Sequence, residues 1–134
     1  MNASYEIRLP TEAEISLLLK KANLKYQLII LLMTDAGLRV TEVVRLQIKD
    51  FNFQARTVLV NSLKKRGAEK TRSIPLTNRT FEALCNYWPK LVDKSQEAFL
   101  FPASAQSKQP HLSRKIVYRR INQYSAGTIY PHML

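Results

Sequence analysis

Thr34-Asp35-Ala36-Gly37-Leu38-Arg39-Val40-Thr41-Glu42-Val43-Val44-Arg45-Leu46 is the stretch on which the reading of this chain turns. The apolar run Tyr26 to Met33 leads into it and predicts a helix buried on most sides. Gly37 stands where such a helix needs a left-handed residue to stop. A second amphipathic helix is expected to begin with Thr41 as its N-cap, which leaves Arg39 at the corner between the two. An arginine on a fixed corner presents five donors in a planar fork, a geometry suited to a phosphate. The competing reading is a helical hairpin closed by an Arg39–Glu42 ion pair at i,i+3.

The same residues resemble the first arginine box of the tyrosine recombinases, the phage integrase family. That box usually reads Thr-Gly-Leu-Arg-hydrophobic-Ser/Thr-Glu-Leu. Ala36-Gly37-Leu38-Arg39-Val40-Thr41-Glu42-Val43 fits it at nearly every place.

Outward from the box, Thr11 and Glu14 form a capping-box pattern ahead of Ile15, Leu18, Leu19 and Ala22, which predicts an amphipathic helix to about Lys21. Residues 1–8 read as a loose lead-in. After Leu46 the period shortens. Gln47 to Phe53 is a short strand candidate, and Arg56 to Ser62, rich in β-branched residues, is a stronger one. Lys64 to Lys70 makes a basic hairpin tip, and Thr71 to Leu76 returns with Pro75 at an edge or strand end.

Thr77 or Asn78 caps the next helix, whose apolar positions Phe81, Leu84, Cys85, Trp88 and Leu91 read as core, Cys85 being a small buried hydrophobe. Ala103 to Pro110 is a polar loop. Leu112 to Tyr124 is a helix with Leu112, Ile116, Val117 and Ile121 on one side and Arg114, Lys115, Arg119 and Arg120 on the other, with Gly127 as its stop. The expected fold class is α+β, mainly helical with a small three-stranded antiparallel sheet.

Bulk properties narrow the function. Twenty-one Lys and Arg against ten Asp and Glu leave a net charge of +11 on 134 residues, which points to a polyanionic partner. No apolar run is long enough to span a bilayer, and acidic residues interrupt any signal-like N-terminus. A lone cysteine excludes an internal disulfide and suits a reducing compartment.

Two more segments extend the resemblance. Lys70-Thr71-Arg72-Ser73-Ile74-Pro75-Leu76 matches the family's return strand, Lys-x-Arg-x-hydrophobic-Pro-Leu, on a tip longer than the common form. Tyr130-Pro131-His132-Met133-Leu134 matches the start of the second box, Pro-His-x-Leu/hydrophobic-Arg-His. The resemblance implies an integrase-like catalytic-domain fragment covering residues 1–134, without the DNA-clamping domain that precedes it or the nucleophile segment that follows.

In that frame Arg39, Lys64 and His132 are the catalytic residues, with Lys65 as the alternative to Lys64 and Glu42 in support. Lys65, Arg66, Lys70, Arg72, Arg114, Lys115, Arg119 and Arg120 are the DNA-binding set. His111 reads as local or solvent-facing. The implied reaction is strand cleavage and rejoining through a 3′-phosphotyrosine, with neither metal nor nucleotide cofactor, on double-stranded DNA. The full-length protein is expected to act as a tetramer in a bacterial, phage or plasmid context, cytoplasmic and nucleoid-associated. None of the six tyrosines stands in the nucleophile's context, so the expectation for the chain alone is that it does not cleave. A non-catalytic DNA-binding module on the same scaffold is the alternative, and a basic RNA-associated protein ranks last.

Overall fold

A computed structural model describes residues 10–63, 69–104 and 107–126. Helix α1 (Glu12–Lys21) opens on the expected capping box: the Glu14 N–H donates to Thr11 Oγ1 at 3.1 Å, and the Thr11 N–H to Glu14 Oε1 at 2.9 Å. Ile15, Leu18 and Ala22 face the core. Helix α2 (Leu24–Thr34) is capped by Asn23 and buries Leu28 through Met33 without a break, so it runs through the middle of the molecule. A helix apolar on all sides is stable only with neighbours all round. Here α1, α4 (Asn78–Tyr87) and α3 (Val40–Val44) supply them.

Gly37 has φ +74, the left-handed conformation predicted for it. The turn is wider than a simple cap: the Ala36 N–H reaches back to the Leu31 carbonyl, and the Leu38 N–H to that of Leu32. Leu38 and Val40 are then buried on either side of the exposed Arg39. Burial of Val40 brings the start of α3 forward, so its N-cap is Arg39 and Thr41 sits inside the first turn, correcting the predicted cap.

The sheet is three-stranded and antiparallel in the order β1-β2-β3, with β1 at Phe51–Asn52, β2 at Thr57–Leu63 and β3 at Glu69–Pro75. The first strand is much shorter than the predicted Gln47 to Phe53. Asp50 accepts the Gln47 N–H at 2.8 Å and closes a 3₁₀ turn over Ile48–Asp50, which takes those residues out of any ladder. The N–H groups of Ile48 and Lys49 bond instead to the carbonyls of Ala98 and Gln96.

On the face that carries Val58 and Val60 the cross-strand pairs run Val58↔Ile74, Val60↔Arg72 and Ser62↔Lys70, so this face grades from buried and apolar at the base to polar toward the tip, where Lys70 is exposed. Helix α4 begins after Thr77 and buries Thr80, Ala83, Leu84 and Tyr87. Cys85 is exposed, contrary to the sequence reading, because it lies about 100° round the helix from Leu84 and the buried stripe does not widen that far. Phe81 and Trp88 instead stack edge-on against Phe53, at 5.9 and 4.8 Å between centroids. Helix α5 (Arg114–Tyr124), capped by Ser113, buries Val117 and Ile121, while Ile116 is turned to solvent. The proposed stop at Gly127 lies outside the described residues; α5 ends at Tyr124, and Ala126 has φ 53. No helix among the described residues is long and apolar enough to cross a membrane.

Candidate functional site

The corner at Arg39 is held from both sides. On its C-terminal side the Arg39 N–H donates to Glu42 Oε1 at 2.8 Å. Glu42 is itself buried, and its remaining acceptor capacity is taken by the sheet. Arg72 Nη1 donates to Oε2 and Arg72 Nη2 to Oε1, each at 3.0 Å, and Ser62 Oγ donates to Oε2 at 2.6 Å. Arg72 Nη1 also contacts Ser62 Oγ. Burial alone would push the Glu42 carboxyl up. The hydrogen bonds from Arg72, Ser62 and the Arg39 backbone, together with the Arg72 charge, outweigh it and hold the group down at about 2.

On the N-terminal side Asp35 ends α2. Arg79 Nε and Nη2 donate to its two oxygens at 2.6 Å each, and Thr77 Oγ1 to Oδ2 at 2.8 Å. Arg79 also contacts Glu12 at the start of α1, so one guanidinium ties α1, α2 and α4 together. These bonds, Arg79 foremost, keep the Asp35 carboxyl below its ordinary range against the effect of burial. Residues 35–42 therefore form a loop pinned at each end by a bidentate arginine–carboxylate pair.

The Arg39 side chain is exposed, and among the described residues no hydrogen-bond or ion-pair partner takes its guanidinium. The alternative reading of a hairpin closed by an Arg39–Glu42 side-chain pair is not what forms, because Arg72 occupies the carboxylate. Arg39, Thr41, Glu42, Arg45, Asn61 and Ser62 line a recess of about 80 Å³. Arg45 also lines a second, wider groove of about 560 Å³ with Thr41, Gln109, His111, Arg114 and Lys115. The two recesses share Thr41 and Arg45, so a basic surface runs from Arg39 past Arg45 to the first turn of α5.

Sequence reasoning passed over Arg45, although a signal was present. Val40, Val43, Val44 and Leu46 are the inward positions of that segment, which leaves 41 and 45 outward beside 39. Of the two readings offered for His111 the local one fits: it is half-buried, with Nδ1 2.9 Å from the carbonyl of the adjacent Leu112 and its ring against Phe99.

The four cations of α5 do not share one face. Arg114 and Lys115 line the groove beside α3. Arg120 lies over the rings of Tyr26 and Tyr124, 5.6 and 5.9 Å from their centroids, toward α2. Lys70 is exposed at the tip end of β3. Lys64, Lys65, Arg66 and His132 lie outside the described residues. Among the described residues no three His, Cys, Asp or Glu side chains come together in a way that could hold a metal ion.

Residues 8–134 match the model of the phage integrase family. A tyrosine recombinase XerA of Pyrococcus furiosus is 33% identical over 130 residues, an alignment that covers 92% of this chain and 44% of the relative. The chain thus spans less than half the length of that protein. The crystal structure of a XerA recombinase superposes with a TM-score of 0.79 at 20% identity, over 99% of this chain and 48% of the other. The Tn1549 transposon integrase, solved in complex with a circular intermediate DNA, gives 0.67 at 17% identity, over 98% and 52%. Because that family model matches nearly the whole of the sequence, the chain belongs to the phage integrase family of tyrosine recombinases.

Proposed function

We propose that the full-length protein is a site-specific DNA recombinase or integrase, and that this chain supplies the part of its catalytic domain carrying the first arginine and the lysine hairpin. The observation that carries the reading is Arg39: a guanidinium without a protein partner among the described residues, on a backbone pinned at Asp35 and Glu42, beside a basic groove. Strand transfer builds negative charge on the non-bridging oxygens of the scissile phosphate as phosphorus becomes five-coordinate. A cation fixed beforehand stabilises that state more than the ground state.

In this reading a tyrosine oxygen attacks phosphorus, a 3′-phosphotyrosine bond forms, and the P–O5′ bond breaks. Arg39 clamps a non-bridging oxygen. Lys64, or Lys65 in its place, protonates the departing 5′-oxygen, and His132 donates a hydrogen bond to the phosphate and shares in proton transfer. Because the phosphotyrosine conserves the phosphodiester energy, rejoining is the same step reversed and needs neither nucleotide nor metal.

The partner is double-stranded DNA, a reading supported by the Tn1549 integrase solved with a circular intermediate DNA and by the XerH recombinase bound to difH substrate. Arg45, Arg114 and Lys115 are the phosphate contacts that the groove favours, with the exposed Lys70 of β3 and Arg119 of α5 as further candidates, and Lys65 and Arg66 added from the sequence alone. The full-length protein works as a tetramer on DNA, in the cytoplasm at the nucleoid.

The test uses a polypeptide extended past Leu134 through the second arginine and the nucleophilic tyrosine, with a nicked suicide duplex. A covalent adduct that survives denaturation and is absent in Arg39→Ala is expected. Specific binding without an adduct would replace this reading with the second one, a non-catalytic DNA-binding module, which the basic groove also favours.

A further inference from the structure

Arg72 stands on β3 at a position that faces inward, paired across the sheet with the fully buried Val60. Its neighbours on that face toward the base of the hairpin, Val58 and Ile74, are apolar, so an arginine there needs a reason. The reason is visible in its fork. Both terminal nitrogens are spent on Glu42, and Nη1 also meets Ser62. Glu42 in turn holds the Arg39 N–H. An unbroken run of hydrogen bonds therefore leads from the strand that returns from the lysine tip to the backbone of the arginine corner.

We infer that Arg72 is a positioning residue of the recombinase site, which locks the Arg39 corner to the β2–β3 hairpin through Glu42, and that it does not contact DNA phosphate. Its charge is neutralised by a carboxylate whose side chain is only 7% exposed. Turning the fork outward to a phosphate would leave that carboxylate buried and unpaired, an outcome proteins avoid. A lysine at position 72 keeps the charge and loses the fork, so it cannot reproduce the two parallel bonds that Nη1 and Nη2 make to the carboxylate.

This inference rests on the recombinase reading, and the extended polypeptide separates the two. If the wild type forms no covalent adduct on the suicide duplex, the recombinase reading fails. Given an adduct, Arg72→Lys is compared with wild type in two measurements: the log–log salt slope of duplex binding, and the rate of adduct formation at saturating DNA. The slope is expected to stay within about 0.3 of wild type while the saturating rate falls at least tenfold. Glu42→Gln should lower the rate similarly, and the double variant should lose no more than the worse single one.

A slope reduced by about 0.9 would make Arg72 a phosphate contact and overturn the inference. A saturating rate within threefold of wild type, or losses that multiply in the double variant, would also overturn it. Should Arg72→Lys fail to fold by circular dichroism, Ser62→Ala removes a single hydroxyl from the same network. It is expected to slow the saturating rate about threefold or more with the slope unchanged, and an unchanged rate there would overturn the inference too.

Discussion

Glu42→Gln is the perturbation whose size follows most directly from the structure. Glutamine keeps the volume of the side chain and one acceptor, but it removes the charge and turns an amide toward Arg72. In this it resembles the protonated carboxylic acid. The Glu42 carboxyl lies at about 2 in the folded chain against an ordinary 4.5. A depression of that size corresponds to about 3 kcal/mol of folding stability at neutral pH.

The sign follows from proton uptake. Between those two values the unfolded chain binds a proton that the folded chain does not, so this stability is complete above about pH 5 and drains away as pH falls toward 2. By pH 3 about 2 kcal/mol of it has gone. Glu42→Gln should therefore cost about 3 kcal/mol at pH 7 and only about 1 kcal/mol at pH 3, with other carboxylates cancelling between the two proteins. In thermal terms the neutral-pH loss is roughly 10 °C. Urea denaturation followed by circular dichroism at pH 7, 5, 4 and 3 measures it. A cost below about 0.5 kcal/mol at pH 7, or one that stays flat to pH 3, would refute the assignment of Glu42 as a charged, fully engaged brace.

Further outcomes follow from other parts of the site. Gly37→Ala should destabilise by about 1 kcal/mol through the φ of +74 alone, since a Cβ there meets nothing within 4 Å, and Gly37→Asn should recover part of the loss; chemical denaturation of the three proteins decides it. Arg79→Ala, whose side chain is 39% exposed, should cost about 1–2 kcal/mol and raise the midpoint of Asp35 in a carboxyl carbon NMR titration; an unmoved midpoint would contradict the clamp. Arg114→Ala and Lys115→Ala should each reduce the salt slope of duplex binding by about 0.9, while Arg120→Ala, stacked over Tyr26 and Tyr124, should leave it unchanged.

Local chemistry made much of this fold legible from residues alone. The Thr11–Glu14 box, the left-handed Gly37, the Thr77 cap and the antiparallel pair around the basic tip are each written within a few neighbouring positions. What escaped was tertiary. Nothing in a periodic pattern announces that Arg72 reaches a carboxylate 30 residues away, or Arg79 one at 44, because such pairs have no period.

The misplaced strand and cap share a different cause. Asp50 competes for a backbone donor within its own turn, and burial of Val40 moves the start of α3 past the better capping residue. Cys85 shows that an apolar residue beside a buried stripe need not belong to it. Arg45 was hidden by its surroundings: inside a matching box it looked like ordinary helix charge, and only the shared wall of two recesses sets it beside Arg39.

The central claim, that Arg39 acts on the charge of the scissile phosphate, has one direct measurement. The extended polypeptide and its Arg39→Ala variant are compared on two duplexes, one with a natural scissile phosphate and one in which a non-bridging oxygen is replaced by a neutral methyl group. If Arg39 stabilises negative charge that grows in the transition state, Arg39→Ala should lose about 10²–10³-fold in cleavage rate on the natural phosphate and less than about tenfold on the neutral one. An equal loss on both substrates would contradict the claim and leave Arg39 a structural residue of the corner.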